Sequence, residues 1–247
     1  MDKSDMRSQG PLYPRDKTLH PKALTPDYKS SLFRSPKMAL VPVNTTMSEI
    51  SGPVFGPNIL GEFDSDLTKN YCSAEQMAIG EQIIVHGKVF DENSKTIPNV
   101  LIEVWQANAG GRYRHFSDSY KAPLDPYFGG CGRCVTDQNG YYSFKTIRPG
   151  AYPWPNGGNN WRPSHIHFSI FGTSFAQRLI TQMYFEGDPL IKLCPIANTI
   201  EDPASLNTLV AQLDMKRTIH MDARAYQFNI ILRGRFSTIF ENKMDGN

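Results

Sequence analysis

The run WRPSHIHFSIFG, residues 161–172, decides how this chain is read. Aromatic and β-branched residues fill its second half, as in a pleated strand. Successive side chains of a strand point to opposite faces, so His165 and His167 share one face while Ile166 and Phe168 share the other, towards a core. The chain has only 6 histidines, and two of them stand on this one surface. Two imidazoles so placed can converge on a metal ion. They can equally be half-buried groups hydrogen-bonded to their neighbours. Two ligands do not make a site, so the rest of the chain has to supply others.

Outward from this strand, EQIIVHGKVFD (81–91), VLIEVWQAN (100–108), QRLITQMYFEG (177–187) and AYQFNIILRG (225–234) read as further strands. CVTD and YYSFKTI flank a QNG whose Asn139-Gly140 step signals a hairpin. One clear helix is expected over 201–215, EDPASLNTLVAQLDM. Asp202 can cap it, Pro203 suits its first turn, and Leu206, Leu209, Val210 and Leu213 recur at helical spacing. Short strands between Gly, Pro and Asn turns predict a mainly β fold: an antiparallel β-sandwich with long loops and one or two short helices, over residues 76–247. The start differs, because 8 of the 18 prolines fall in the first 60 positions. Proline at that density blocks helices and central strands. With Leu32, Phe33, Met38, Leu40 and Val43 interspersed, residues 1–75 read as an extended arm laid on the core and on a partner chain.

The chain's 247 residues are 40% hydrophobic and 20% charged, as in an ordinary globular protein. A net charge of +2 is too balanced for a nucleic-acid partner. No apolar run approaches the ~18 residues of a membrane span, and MDKSDMRSQG lacks an apolar signal core. No membrane is expected, and the cytoplasm is the expected compartment. CGRC (131–134) matches C-x-x-C, but zinc would want a second such pair and redox chemistry a helix start. With Cys72 and Cys194, these cysteines read as free thiols of a reducing compartment. There is no G-x-G-x-x-G and no P-loop.

Further ligands come from two residue types. A carboxylate would complete a ferrous or zinc site, but FSIFG after the histidines holds no acid, and Glu186 is the obvious one left. Tyrosine is the other donor. Tyr113 sits in GGRYRH and Tyr152 in RPGAYPWPNGG, both in constrained loops. Either alone reads as loop packing with a wet hydroxyl. What stands out is the conjunction of both with the H-x-H strand, Trp154, Trp161 and Arg162.

GKVFDENSKTIPNVLIEVWQANAGGRYRH, DPYFGGCGRCVTDQNGYYSFKTIRPGAYPWPNGGNNWRPSHIHFSIFG and AQRLITQMYFEGDPL resemble the intradiol ring-cleavage dioxygenases over roughly residues 80–240. PDYKSSLFRSPKMAL (26–40) resembles the members that act on protocatechuate, and the proline-rich start is unlike the helical dimerisation segment of the catechol-cleaving members. The resemblance implies one non-haem Fe(III) per chain, held by Tyr113, Tyr152, His165 and His167. Two tyrosinates and a hydroxide would cancel the ion's three charges. Tyr152 would also serve as a base and Arg162 would stabilise charge on the substrate. Trp154, Arg162, Gln182, Ile196 and, in the arm, Tyr28 would line the pocket. The implied reaction consumes protocatechuate and O2 to give 3-carboxy-cis,cis-muconate. The implied partner is a homologous α chain that has lost the iron ligands.

Three readings compete with this one. Catechol or hydroxyquinol could be the substrate of the same chemistry. A transthyretin-like β-sandwich without enzymatic activity resembles the GKVFDENSKTIPN and TDQNGYYSF half. A zinc or ferrous site completed by Glu186 would not need the tyrosines.

Overall fold

The computed structural model describes residues 21–38, 57–73, 75–172, 178–232 and 237–239. Eleven strands run in chain order: β1 Gln82–Phe90, β2 Leu101–Trp105, β3 Cys131–Val135, β4 Tyr141–Ile147, β5 Tyr152–Pro155, β6 Asn159–Arg162, β7 His165–Phe171, β8 Arg178–Phe185, β9 Val210–Leu213, β10 Arg224–Gln227 and β11 Ile230–Ile231. Among the described residues two short α-helices accompany them, α1 Ser31–Arg34 and α2 Pro203–Asn207, with short 3-10 turns. The first 20 residues of the expected arm, and residues 39–56, lie outside the described residues.

Nine strands form one sheet in the order β11-β1-β10-β9-β8-β7-β2-β3, with β4 paired to β1. It folds over on itself as a sandwich. Alternation builds the core: Ile166, Phe168 and Ile170 of β7 are wholly buried, as are Ile83, Val85 and Val89 of β1. Across the layers, the Phe168 ring meets Phe144 of β4 at 5.9 Å and Phe228, beyond β10, at 5.2 Å. Buried Gln106, just past β2, ties the two layers by polar contacts. Its amide donates to the Ile147 carbonyl (2.9 Å) and accepts from the Thr146 hydroxyl (2.9 Å). Most pairings are antiparallel, as expected, but β1 pairs in parallel with β10 and β11, and β8 with β9.

Three expectations are corrected. The helix expected over 201–215 ends at Asn207. Asp202 caps it through the Ser205 N–H (2.7 Å) with Pro203 in the first turn. The chain then turns at Thr208 and enters β9, where Val210 and Ala211 pair with Tyr184 and Phe185. Pairing with β8 buries Ala211 completely, and that tertiary pairing overrides the helical spacing of the leucines. At Asn139-Gly140 the turn forms, with Asp137 accepting from the N–H groups of Asn139 (2.7 Å) and Tyr141 (2.9 Å) and Gly140 at φ +69°. Its flanking strands then part, β3 pairing with β2 and β4 with β1. The turn therefore bridges two layers instead of closing a hairpin. Finally, the strand expected over 225–234 is two. The register against β1 is the same in both, but between them the Asn229 side chain takes the Lys88 N–H (3.0 Å).

His86, on β1, is buried, with Nε2 3.3 Å from an Asp214 carboxylate oxygen. Burial, the largest influence, and the Arg217 guanidinium lower its pKa below 6.5, against the opposing pull of Asp214. The unfolded chain then binds the proton more readily than the folded one. Stability contributed by neutral His86 is complete above pH ~6.5 and is lost as pH falls from there through the folded-state pKa. Urea midpoints between pH 5 and 7.5 are expected to drop less steeply with falling pH in His86→Asn than in the parent. Equal slopes would refute this.

Candidate metal centre

β7 carries His165 and His167 on the face opposite the core, flanked by β2 and β8. Register sets their neighbours: Trp105 of β2 and Gln182 of β8 stand opposite His167, and Tyr184 of β8 stands opposite His165. The Trp105 and His167 rings stack 4.9 Å apart and 3° from parallel, which holds the imidazole plane. His165 is buried, and its Nδ1 lies 2.7 Å from the Pro163 carbonyl. A carbonyl only accepts, so Nδ1 carries the proton and Nε2 presents a lone pair. Burial first, then Arg162 and His167, push the His165 pKa well below the ordinary value, so the ring is neutral.

The tyrosines arrive on two loops. Tyr152 opens β5, which pairs with β6 in a small two-stranded sheet that sets Tyr152 opposite Arg162 and leads on into β7. Tyr113 follows the end of β2 by way of Ala107–Arg112. Asn108 organises that turn: its Oδ1 accepts from the N–H groups of Gly110 (2.9 Å) and Arg112 (3.0 Å), and its backbone carbonyl accepts from Gly111 and Gly150 (both 2.9 Å). The Tyr113 N–H in turn donates to Asp118 (2.8 Å). Two glycines let the loops touch backbone to backbone. A Cβ on Gly111, at φ +82°, would lie 2.3 Å from the Ala151 carbonyl oxygen, and one on Gly150 2.4 Å from that of Ala109. Any larger residue there would push the two tyrosines apart.

The result is a cluster of four donors. Tyr113 Oη lies 3.4 Å from His165 Nε2 and 3.1 Å from His167 Nε2, and Tyr152 Oη lies 3.4 Å from His165 Nε2. The two phenol rings meet edge to face at 5.5 Å. Nitrogen and oxygen donors sit about 2.0–2.2 Å from a first-row metal ion, so adjacent donors of one ion lie roughly 3.0–3.6 Å apart. The three contacts fit that spacing, and two phenols with two imidazoles form a donor set suited to a hard, highly charged cation. Among the described residues no group of three or more His, Cys, Asp or Glu gathers to hold a metal. Glu186 is exposed and accepts from the Leu213 N–H (3.0 Å), so the carboxylate-completed site lacks its acid.

Arg162 is buried beside the cluster, its guanidinium donating to Gln182 Oε1, which also accepts from the Tyr184 hydroxyl (3.3 Å). Burial works to lower the Arg162 pKa. The surrounding Tyr184, Cys194, Tyr152 and Tyr113 outweigh it and raise the value, so the guanidinium stays charged. Its Nε and the Nε2 of Gln182 are buried with no hydrogen-bond partner among the described residues, two donors left over for a ligand. Trp154 packs under Arg162 (5.8 Å) and edge-on to Tyr28 (5.5 Å), which is buried. Ile196 is buried in the apolar core cluster, just before a 3-10 turn. Sequence reasoning missed Asn108, Trp105, Asp118 and Tyr184. Of these, only Trp105 and Tyr184 had a usable signal, their same-face positions on strands beside β7. All four cysteines are free thiols, and Cys131 and Cys134 fall on an exposed and a buried position of β3.

Comparison with known proteins gives a consistent picture. A family profile described as "Dioxygenase" matches residues 50–234, and one described as "Protocatechuate 3,4-dioxygenase beta subunit N terminal" matches residues 13–46. The protocatechuate 3,4-dioxygenase beta chain of Burkholderia cepacia is 48% identical over 230 residues, covering 93% of this chain and 97% of that one. The protocatechuate 3,4-dioxygenase alpha chain of Pseudomonas putida is 32% identical over 169 residues, 68% of this chain and 79% of that one. Among solved structures, 3-chlorocatechol 1,2-dioxygenase from Rhodococcus opacus superposes with a TM-score of 0.52 at 25% identity, over 76% of this chain and 72% of that one.

Proposed function

The chain belongs to the intradiol ring-cleavage dioxygenases, and on that premise we propose that it opens the ring of protocatechuate with O2. Both oxygen atoms enter the product, 3-carboxy-cis,cis-muconate, and the bond broken joins the two hydroxyl-bearing carbons. One Fe(III) per chain is held by Tyr113, Tyr152, His165 and His167. The observation that carries the reading is the convergence of two phenol oxygens and two imidazole nitrogens, linked in one chain of contacts of 3.1–3.4 Å. When bound there, the ferric ion supplies Lewis acidity and the electronic coupling that makes a catecholate reactive towards dioxygen.

The side chains do the rest. His165, through the Nε2 lone pair, and the stacked ring of His167 would hold two of the four donor positions fixed. Tyr152, half-buried at the start of β5, is placed to accept a proton from an entering catechol hydroxyl as a phenolate. The charge of the buried Arg162 compensates the anionic substrate, and Gln182 holds that guanidinium in place. Trp154 and Tyr28 wall the ring, with Ile196 behind. An α chain like the P. putida relative would complete the pocket, clasped by the N-terminal arm 1–75, with residues 76–247 forming the catalytic sandwich. Four free thiols support a reducing, cytoplasmic setting; among the described residues no helix is long and apolar enough to cross a membrane.

The visible spectrum tests this reading. The iron-loaded protein is expected to be burgundy from phenolate-to-iron absorption, and anaerobic protocatechuate is expected to shift that band to the red. Turnover on protocatechuate is expected to exceed that on catechol and hydroxyquinol. A colourless iron-loaded protein would discard the tyrosine ligands. A preference for bare catechol would discard the substrate.

A further inference from the structure

We propose that Tyr184 is a positioning residue for ring cleavage: its hydroxyl and the Arg162 guanidinium share one amide oxygen, that of Gln182, and this sharing fixes how Gln182 and Arg162 face the site. The inference rests on the reading of this pocket as a ring-cleavage site. Tyr184 is a third tyrosine on the donor side of the sheet. Alternation puts Tyr184 and Gln182 on the same face of β8, and register sets them opposite His165 and His167. The Tyr184 ring lies 6.2 Å from the His165 imidazole, and its hydroxyl lies 3.3 Å from Gln182 Oε1. Tyr184, Gln182 and Arg162 are all buried. The sheet holds Tyr184 from behind, since its N–H donates to the Leu209 carbonyl (2.8 Å) and its Cα pairs with Val210 of β9.

Donor and acceptor chemistry allows one arrangement. A guanidinium has only donors, so the Gln182 atom facing Arg162 is the oxygen. The amide nitrogen then points the other way, and Tyr184, facing the same oxygen, donates to it. An amide turned over would set its NH2 against the guanidinium. A carbonyl oxygen has two lone pairs, and these two donors use both. Arg162 Nε and Gln182 Nε2 have no partner among the described residues, and they are the donors available to charge that develops on the substrate. Arg162 comes from the small β5–β6 sheet, and Gln182 and Tyr184 from the nine-stranded one. The shared oxygen therefore references the guanidinium to the sheet that carries the two histidines. Without the Tyr184 hydroxyl, one lone pair of a buried oxygen goes unpaired and Arg162 alone orients the amide, so amide and guanidinium shift together.

The measurement is steady-state turnover of protocatechuate by the assembled, iron-loaded enzyme in the parent, Tyr184→Phe, Gln182→Met and the double variant, with the iron content and visible band of each. In Tyr184→Phe, kcat is expected to fall roughly tenfold, the effect of one unsatisfied buried acceptor. KM should change by less than about twofold, because the two donors act on charge that develops only during the reaction. Iron content and the visible band should match the parent. In the Gln182→Met background, adding Tyr184→Phe should lower kcat by less than about twofold, since the hydroxyl acts only through the amide. A crystal structure of Tyr184→Phe gives a second measurement that does not need the double variant, with the Gln182 amide and Arg162 guanidinium displaced from their parent positions. An unchanged kcat in Tyr184→Phe would overturn the proposal. So would a tenfold loss that persists beside Gln182→Met, or both groups unmoved in the crystal. Lost iron or a shifted band in Tyr184→Phe would mean support of His165 instead, and would overturn it too. A parent that turns over neither protocatechuate nor catechol would overturn the proposal together with the reading of the site; with an active parent, the other outcomes overturn the proposal alone.

Discussion

Tyr113→Phe is expected to lose iron. Its hydroxyl lies within reach of both imidazoles, 3.4 Å from His165 Nε2 and 3.1 Å from His167 Nε2. Removing an outer-sphere partner of a metal ligand already costs about 10–100-fold in affinity; removing the ligand itself should cost at least the upper end of that range. The phenolate also carries negative charge that would offset the cation, so its loss would leave a ferric ion and the buried Arg162 with less compensating charge. The purified variant is therefore expected to hold under about a tenth of the parent's iron by metal analysis and to lack the visible band. Its far-UV circular dichroism should be unchanged, because Tyr113 lies on a loop outside the core. Tyr152→Phe makes a useful contrast. Tyr152 Oη lies 3.4 Å from His165 Nε2 and is the proton acceptor as well as a ligand, so what iron the variant holds should show a shifted band. Turnover should fall by roughly 100–10,000-fold for want of the proton acceptor. A Tyr113→Phe protein that kept its iron and its colour would remove the phenolate from the ligand set.

How much of this was legible in advance follows from the range of the interactions. β7 was readable because alternation is local: a run with two histidines on one face and Ile166 and Phe168 on the other admits one orientation once a core exists. The fate of Leu206, Leu209, Val210 and Leu213 was not readable, since the same four residues satisfy a helical spacing and a short strand beside β8. The choice depends on Tyr184 and Phe185, some twenty-five residues away, being there to pair. The turn at Asn139-Gly140 was visible, while the separation of its strands into different layers depends on β1 and β2 competing for them. At the site, constrained loops and the nearby H-x-H strand set Tyr113 and Tyr152 apart from 9 other tyrosines, 11 in all. Only the resemblance to a family made them ligands. Their meeting depends on Gly111 and Gly150 letting two loops interlock, and glycines next to a tyrosine carry no such message until the loops are placed.

Phe168→Ala is expected to have the largest effect on stability, and to reach the site from behind. The Phe168 ring is fully buried and meets three others: Tyr142 at 6.3 Å, Phe144 at 5.9 Å and Phe228 at 5.2 Å. Those partners lie on β4 and beyond β10, so the ring is where the two layers hold each other. Truncating a buried phenylalanine to alanine costs about 3–5 kcal/mol, lost transfer energy plus the cavity left behind. For a domain of this size that corresponds to a melting temperature lower by roughly 6–20 °C. Phe168 also follows His167 directly, and its Cα pairs with Val104 on one side and Thr181 on the other. A strand that loses its anchor on the core face gains freedom on the opposite face, where the imidazoles stand. Thermal melts of the apoprotein should show the full drop. Iron binding is expected to stabilise Phe168→Ala by less than it stabilises the parent, because some binding energy is used to re-order His165 and His167. An identical metal-induced shift in both proteins, with the apo melting point reduced, would mean that the core and donor faces of β7 are mechanically independent.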